Sequence, residues 1–257
     1  MSQWVIKGLR TGIKSTRYPR TIETAPGMSP GLPVATRMSP DMAQMMVTRC
    51  PTSALEPAQA GVDVNLRRCI HCFRCARGTD SPMEWERERD FECAGVTPNS
   101  NDHDRRFGPA FSRSIHILVV DAGDCGACLN EVKQLNNPYY NMHRLGFFLT
   151  PTPRHADLLL VVGALTEHMR LPLRKAYDAM PTPKRVVAVG ACALSGGIFG
   201  RSFMCAGGVG DFLPVDVEVP GNPPPPLAIL HGLLVAAGRK PPALLYRRAE
   251  DSTEAPG

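Results

Sequence analysis

The sequence predicts an α/β fold built on a parallel β-sheet. Short apolar runs rich in Val, Ile or Leu, each closing on Gly or Ala, indicate strands that are buried on both faces. Three such runs lie at 114–123, 156–165 and 185–194, and a fourth strand is expected near 215–219. Helix-capable segments separate the runs, and strands that alternate with helices are typical of a layered α/β sheet.

The predicted helices are at 126–136, 167–180 and 225–238. In an open α/β sheet, the loops that carry chemistry follow the carboxyl ends of the strands. Cys125 and Cys128 follow the first strand, and Cys192 stands at the end of the third. These thiols are therefore expected at one edge of the sheet.

Composition and charge narrow the classes of function. The 257 residues suit one large domain or two small ones, and 25 prolines indicate long irregular stretches. The net charge of +5 is modest. The arginines of the chain are scattered and form no dense basic stripe with interleaved aromatics, which argues against nucleic-acid binding. The excess of cations suits a solvated surface, or a face that docks an acidic partner or anionic lipid headgroups.

The chain is expected to be soluble and cytoplasmic. No run approaches the roughly 18 apolar residues that a spanning helix needs. The N-terminal sequence shows neither a secretory apolar region nor a twin-arginine pair. Nine cysteines in a cytosolic chain do not suggest a disulfide framework, so metal ligation is the favoured interpretation.

Composition and sequence pattern divide the chain into five segments. They are an extended N-terminal arm (1–48), a cysteine-rich module (49–96), a polar linker (97–113), the α/β domain (114–239) and a polar C-terminal tail (240–257). The arm begins with MSQWVIKGLR, which can form one or two amphipathic turns. Those turns either pack against the body of the chain or dock onto a partner subunit.

The first cysteine set lacks its last member when it is considered alone. Cys69, Cys72 and Cys75 form a C-x₂-C-x₂-C run, but Thr79 stands where the fourth cysteine usually follows. In bacterial two-cluster ferredoxins that last cysteine ligates the other cluster, so the missing ligand should be an upstream Cys-Pro. Cys50, followed by proline and 19 residues before Cys69, supplies it. A Cys₄ zinc site is the alternative, although such sites prefer two separated C-x₂-C pairs.

The positions of a second ferredoxin cluster agree with this interpretation. Its cysteines would lie at 40, 43 and 46, which are Pro40, Ala43 and Met46 here. Without that cluster, a cysteine at position 79 would have nothing to bind. The segment resembles a bacterial-type ferredoxin that kept one of two [4Fe–4S] clusters. Cys93 fits neither site and is expected to be a small buried hydrophobe.

The second cysteine set lies among small residues. Gly123 and Gly126 leave the loop nearly free of side chains, so backbone N–H groups can approach sulfur closely. Cys125 and Cys128 can bind adjacent corners of one metal centre, with Cys192 as a third ligand from the neighbouring loop. A redox-active C-x-x-C pair is the rival interpretation, but it does not explain the third cysteine.

Sequence motifs resemble two subunits of one kind of complex. WVIKGLRTGIKSTRYP, CPTSAL and VDVNLRRCIHCFRC, within about 1–96, are similar to the ferredoxin-like subunit shared by complex I and group 4 [NiFe] hydrogenases. GDCGAC, NNPYY, RLGFF, TPTPRHADLLLVVG, AVGACALSGGIFG and LPVDVEVPG, within about 114–239, resemble the small cluster-bearing subunit of those hydrogenases, which is homologous to the complex I terminal-cluster subunit. The resemblance implies a fusion of the two, with a ferredoxin-like module and a flavodoxin-like parallel-sheet domain.

The resemblance also implies cofactors and a role. The ligands of a first [4Fe–4S] cluster would be Cys50, Cys69, Cys72 and Cys75, and those of a second cluster, [4Fe–4S] or [3Fe–4S], would include Cys125, Cys128 and Cys192. The chain would relay electrons to or from the catalytic site of a separate large subunit, in a membrane-bound, formate hydrogenlyase-like complex. It would lie on the inner face of the cell membrane, reach the membrane through other subunits, and hold no complete active site itself.

Two other functions stay open at this stage. One is a complex-I-type subunit that passes electrons to quinone, and the other is a stand-alone ferredoxin-like carrier. The sequence of the large subunit would separate hydrogenase from quinone chemistry, because a nickel site needs two C-x-x-C pairs there. A native mass far above 27.9 kDa would argue against a stand-alone carrier.

Two residues of the second site need separate treatment. The family carries its fourth ligand in a PGCPP turn, where this chain has Asn222. There are three possibilities for the fourth ligand: Asn222 itself, Cys205 from another loop, or no protein ligand at that corner of the cluster. The amide oxygen of Asn222 is a hard ligand that is poorly suited to iron–sulfide. Glu131 lies near the cluster in the family, which implies a proton relay. Alternatively, it is a first-turn acid stabilised by the helix macrodipole.

Overall fold

The computed structural model describes residues 2–12, 14–22, 29–77, 83–86, 91–97 and 113–250. In these residues the helices and strands follow the chain order α1 (Gln3–Thr11), β1 (Leu32–Pro33), β2 (Thr36–Arg37), α2 (Pro40–Arg49), β3 (Leu55–Ala58), β4 (Gly61–Asn65), β5 (Trp85–Glu86), β6 (Gly95–Val96), β7 (Ile115–Asp121), α3 (Ala127–Gln134), β8 (Phe147–Leu149), β9 (Leu158–Val162), α4 (Glu167–Ala179), β10 (Arg185–Val189), α5 (Ala191–Ser195), β11 (Val217–Val219), α6 (Pro226–Ala236) and β12 (Tyr246–Arg247). Thr79, most of the predicted linker (98–112) and the end of the predicted tail (251–257) lie outside the described residues.

A mostly parallel sheet forms the centre of the second half. Its described strands have the order β6–β11–β10–β9–β7–β8, and every pair is parallel except β6 with β11. The four predicted strands and three predicted helices of this half are all present, which confirms the α/β prediction. No helix in the described part of the chain combines the length and apolar character that crossing a membrane requires.

The central strand β9 shows why its sequence is a continuous apolar run. All five of its residues are buried. Leu158 and Leu160 pack in the core that contains α6, whereas Leu159 and Val161 pack in a second core on the opposite face, with residues of α4 and α5. Since both faces are covered, the strand has no polar side, and the period-2 alternation of a half-exposed strand is absent.

The N-terminal arm is a correction to the sequence prediction. The described residues of the predicted extended arm (1–48) hold α2 and two short strands as well as α1, which covers the segment expected to form one or two amphipathic turns. The start of α2 carries Pro40 in the first turn, followed by Asp41, which suits the positive end of a helix. Ala43 and Met46, three residues apart, bury one face of this helix. The prediction missed it because only these two positions are fully buried.

Two chain segments cross between the halves of the sequence. β4 pairs with β2, β3 and β12 in a small antiparallel sheet, so the C-terminal strand β12 joins the cysteine-rich half. Conversely, β6 comes from the cysteine-rich segment and extends the large sheet beside β11. The small sheet, together with α2, places the first cysteine set against the carboxyl edge of the large sheet.

Helix α6 carries a buried histidine whose titration should be visible in stability. His231 is 2% exposed, and its Nδ1 accepts a hydrogen bond from the Ala94 N–H at 3.3 Å. Burial lowers the pKa of His231 to about 4, Glu92 opposes this effect, and Lys240 adds to it. The neutral ring is therefore the form that the fold accommodates.

We expect the free energy of unfolding to fall by up to about 3 kcal/mol between pH 6.5 and 4 through His231. The unfolded chain binds the proton first, so this stability is complete above the unfolded pKa and is lost as the pH falls. Urea unfolding of the wild type and His231→Asn across this range is the measurement. The variant keeps an acceptor but does not titrate, so its curve should be flatter. Equal slopes for the two proteins would contradict the assignment.

Candidate functional site

Three predicted thiols lie at the carboxyl edge of the large sheet. The loop after β7 is held by its own carboxylates. Asp121 accepts hydrogen bonds from the backbone N–H groups two and three residues on, at 2.8 and 2.7 Å. Asp124 accepts hydrogen bonds from the backbone N–H groups of the residues two and five positions further along the chain, at 3.0 and 2.9 Å. This arrangement leaves Cys125 exposed and turns the chain into α3, where Cys128 is buried.

The third thiol, Cys192, approaches from α5, which follows β10. The loop glycines are required by close packing against sulfur. A Cβ atom at Gly190 would lie 2.6 Å from the Sγ of Cys128, and one at Gly197 would lie 2.7 Å from the Sγ of Cys192. Both glycines also have positive φ angles, 89° and 57°, which L side chains rarely adopt. The small residues around Cys192 are therefore part of the site.

The electrostatics of these thiols suit a bound cationic centre. Burial raises the pKa of Cys128, and the charges of Asp124, Cys192, Cys125 and Glu131 raise it further. Burial likewise raises the pKa of Cys192, with added repulsion from Cys125, Asp124 and Cys205. A cysteine binds a metal as a thiolate, and a positively charged metal centre would relieve the repulsion between these thiolates and the nearby carboxylates. The donor set fits an iron–sulfur cluster.

The two candidates for the fourth ligand lie in different surroundings. Cys205 is buried, and its backbone forms a bridge with Thr166, beyond the end of β9. It therefore lies at the same sheet edge and contributes to the field at Cys192. The exposed Asn222 uses its Nδ2 to donate a hydrogen bond to the carbonyl oxygen of Ile70, at 3.1 Å. Asn222 is thus tied to the loop of the first site.

Glu131 lines a cleft between the two sites. Its neighbours around this cleft include His71, Phe73, Tyr140 and Asn222. Burial raises the pKa of its carboxyl group. The first turn of α3 contains no acidic residue, and the macrodipole effect fades beyond the first turn. The alternative of a first-turn acid is therefore wrong, and Glu131 instead lines the cleft from the second turn of α3.

The structure brings Cys50 to the first cysteine run. Cys50 follows the last turn of α2, and its Sγ accepts a hydrogen bond from the Ala54 N–H at 3.2 Å. One cavity is lined by all four cysteines that the sequence singled out, Cys50, Cys69, Cys72 and Cys75. Burial raises the pKa of Cys69 to about 12, and the other three thiols raise it as well. The four thiols are therefore close enough for the charge of each to affect the pKa of Cys69.

Aromatic residues cover the first site. Trp85, on β5, lines the cavity and stacks on Phe73 at a centroid distance of 4.2 Å. His71 meets the same indole edge to face at 5.9 Å, and burial lowers its pKa to about 4. Sequence reasoning missed Trp85, because nothing local links it to the cysteine run. Burial raises the pKa of Cys75, and the nearby indole of Trp85 has a smaller, lowering effect.

Direct contacts join the loop of the first site to the edge that carries the second. Arg67 Nε lies 2.5 Å from a carboxylate oxygen of Glu218 on β11. The hydroxyl of Ser195, in α5, donates to the Arg67 carbonyl at 3.1 Å. The Asn222–Ile70 bond adds a third link.

Across the described ranges, no group of three or more His, Cys, Asp or Glu side chains is arranged to hold a single metal ion.

Comparison with known proteins points to one family. A family model described as the 20 kDa subunit of NADH ubiquinone oxidoreductase matches residues 125–236. The chain is 42% identical over 126 residues to formate hydrogenlyase subunit 7 of Escherichia coli (strain K12), covering 49% of each protein. It is 40% identical over 124 residues to a probable membrane-bound hydrogenase subunit of Pyrococcus furiosus, covering 48% of this chain and 74% of that one.

A third relative is named as a subunit of NADH-quinone oxidoreductase. The chain is 44% identical over 108 residues to a subunit of the NADH-quinone oxidoreductase of Carboxydothermus hydrogenoformans, covering 42% of this chain and 65% of that one. The chain spans about half the length of the formate hydrogenlyase relative. The family match includes the loops with Cys125, Cys128 and Cys192, as well as Cys205 and Asn222.

Proposed function

Since the chain belongs to the family of the 20 kDa subunit of NADH ubiquinone oxidoreductase, we propose that it is the electron-transfer subunit of a membrane-bound, complex-I-like [NiFe] hydrogenase. Members of this family are subunits of oxidoreductase complexes and bind an iron–sulfur cluster. The observation that carries the proposal is the pair of thiol sets joined through Arg67, Ser195 and Asn222. A chain with two adjacent clusters can form a continuous electron path.

The first cluster in this proposal is a [4Fe–4S] cluster held by Cys50, Cys69, Cys72 and Cys75. Support comes from their shared cavity and from the cross-ligation rule of bacterial ferredoxins. The chain is accordingly a fusion of a ferredoxin-like subunit with the small subunit of a group 4 hydrogenase. Trp85 and Phe73 exclude water from this site.

The second cluster is held by Cys125, Cys128 and Cys192, with Cys205 as the fourth ligand. Cys205 lies at the right sheet edge and interacts with Cys192, whereas the amide nitrogen of Asn222 is engaged with Ile70. A thiolate also suits iron better than an amide oxygen does. Asn222 then acts as a link between the two cluster loops.

Bound at these positions, the clusters would supply one-electron transfer. The chain's own residues hold the two loops together, limit solvent at the buried thiols, and place Glu131 in the cleft between them. With its raised pKa, the Glu131 carboxyl group is suited to taking up and releasing a proton beside the second site. No complete active site is formed by this chain, and the catalytic centre belongs to a large hydrogenase-like subunit.

The chain is proposed to lie at the periphery of its complex, on the cytoplasmic face of the membrane, beside other complex-I-like subunits. Quinone reduction is the second candidate, because one relative is a subunit of NADH-quinone oxidoreductase. To distinguish the hydrogenase from the quinone reductase, the complex is isolated and tested for reduction of its clusters by hydrogen. Reduction of the clusters by hydrogen supports the hydrogenase, whereas reduced clusters that hydrogen cannot generate but that added quinone reoxidises support the alternative. Purification as an isolated monomer would support the stand-alone carrier.

The cofactor content tests the proposal most directly. Iron and acid-labile sulfide should amount to about eight atoms each per chain, with EPR signals of two clusters after dithionite reduction. Zinc in place of iron would overturn the proposal for both sites. About four irons would leave a single cluster, which would contradict the fusion.

Replacing Cys205 should change the second cluster in a defined way. In Cys205→Ala we expect about seven irons per chain and an EPR signal in the oxidised state, because one corner loses its ligand and its iron. Asn222→Ala should keep the wild-type iron count. Cys93→Ala is the matched control, since Cys93 is buried but belongs to neither proposed ligand set. An unchanged Cys205→Ala, or iron loss in Asn222→Ala, would reverse the assignment.

A further inference from the structure

Helix α1 leaves its apolar side uncovered. Trp4 and Leu9 are 77% and 75% exposed, Ile6 is 40% exposed, and no residue of the helix is buried. Apolar area that stays in contact with water is unfavourable relative to a buried position. An exposed apolar face of this kind marks a surface that binds a protein or a membrane.

The opposite side of the helix is cationic. At 100° per residue, Lys7 and Arg10 lie together on the side away from Val5 and Leu9. Residues 2–22 contain five Lys or Arg residues and no Asp or Glu. The cations that follow the helix, Lys14, Arg17 and Arg20, are all exposed. Charge on this segment is therefore of one sign only.

The segment after α1 is anchored to the protein body. Gly12, with φ of 63°, ends the helix, and its N–H bonds to the Gly8 carbonyl at 3.0 Å. Four residues later, the Thr16 N–H donates to the Tyr139 carbonyl at 2.8 Å. Tyr18 is fully buried and meets Phe91 edge to face at 5.3 Å. The chain is thus anchored to the body from Thr16 onwards, while the apolar side of α1 remains open.

We infer that α1 lies in the interface of a membrane that carries anionic headgroups. Trp4, Ile6 and Leu9 enter the boundary of the acyl chains, and Lys7, Arg10 and the following cations meet the lipid phosphates. An apolar stripe with Trp, opposite a face of Lys and Arg, is the signature of an interfacial helix. Each cation near such a surface adds to the attraction.

A groove on a protein partner would also accept the apolar side of α1. Only an acidic groove would match the positive charges of residues 2–22, and it would have to extend to the cations beyond the helix. The membrane surface accounts for both the apolar side and the uniform charge. This inference goes beyond the proposed function, in which the membrane is reached through other subunits, and it depends on neither cluster assignment.

Flotation of the full chain with lipid vesicles tests the inference. At low salt, the wild type should float with vesicles of phosphatidylglycerol and phosphatidylcholine, but at least tenfold less with phosphatidylcholine alone. High salt should release most of the bound protein, because headgroup attraction is screened. Leu9→Glu should lower the bound fraction at least tenfold, and so should the double variant Lys7→Glu/Arg10→Glu.

Leu244→Glu is the matched control, since Leu244 is also 77% exposed but lies far along the chain from α1. It should bind vesicles like the wild type. A second readout is Trp4 fluorescence, which should shift to shorter wavelength with anionic vesicles in a Trp85→Phe background. No flotation, equal flotation with neutral vesicles, or an equal loss in Leu244→Glu would overturn the inference. In the first case, a protein groove becomes the occupant of this helix.

Discussion

Cys50→Ser should remove the first cluster and leave the second in place, so that the iron content falls from about eight to about four atoms per chain. Cys50 precedes Cys69 by 19 residues and lies outside the obvious run. Its sulfur nevertheless lines the same cavity as the run. Without it, all remaining ligands belong to the one short run and none from the end of α2 closes the site over the cluster, whereas the second set keeps ligands from both α3 and α5 when Cys205 is removed.

EPR of the reduced protein provides the second measurement for this variant. One of the two reduced signals should disappear, and any magnetic interaction between the clusters should vanish with it. Cys93→Ser is the control, because it removes another buried thiol from the same half of the chain. It should retain about eight irons. If Cys50→Ser retained them too, Cys50 would not be a ligand, and the ferredoxin interpretation of this segment would fail.

The second large effect concerns the link between the two halves of the chain. In Arg67→Met we expect the free energy of unfolding to fall by about 2 kcal/mol, because Glu218 is left buried without its partner. The Glu218 side chain is only 7% exposed, whereas Arg67 is 34% exposed. Breaking a fully buried pair costs roughly 3–5 kcal/mol, and the exposure of Arg67 reduces that cost.

The pH dependence of this loss has a definite sign. Burial raises the pKa of Glu218, and Arg67 opposes that rise. Without Arg67 the pKa of Glu218 rises further. A group with a raised folded pKa loses stability as the pH increases through that value, so the defect of Arg67→Met should be largest at neutral pH and small below pH 4.5, the ordinary pKa of Glu.

Urea unfolding at both pH values measures this effect. The double variant Arg67→Met/Glu218→Gln should recover part of the loss at neutral pH, since it removes the unpaired charge. Arg201→Met is the matched control, because the Arg201–Asp211 pair is largely exposed and should contribute nothing measurable. A defect of equal size at both pH values would show that packing of the Arg67 side chain, and not its charge, stabilises the loop.

Much of the α/β half was predictable because its signals are local. The strands around Leu118, Leu160 and Val187 are buried on both faces, so their sequences are continuous apolar runs. Helix α6 is apolar throughout and is buried throughout. The grouping of Cys50 with the distant run was also within reach, because ferredoxin spacing is a regular pattern.

By itself, therefore, the sequence determined the parallel sheet, the two sets of thiols and the edge at which the second set lies. Tertiary structure alone decided which distant segments meet. β6 pairs with β11 and β12 with β4, and such pairings over long chain separations leave no periodic signal. It also tied Asn222 to Ile70, put Cys205 beside the second site and left α1 uncovered. Side-chain direction and solvent exposure follow from contacts between distant segments, which local patterns do not encode.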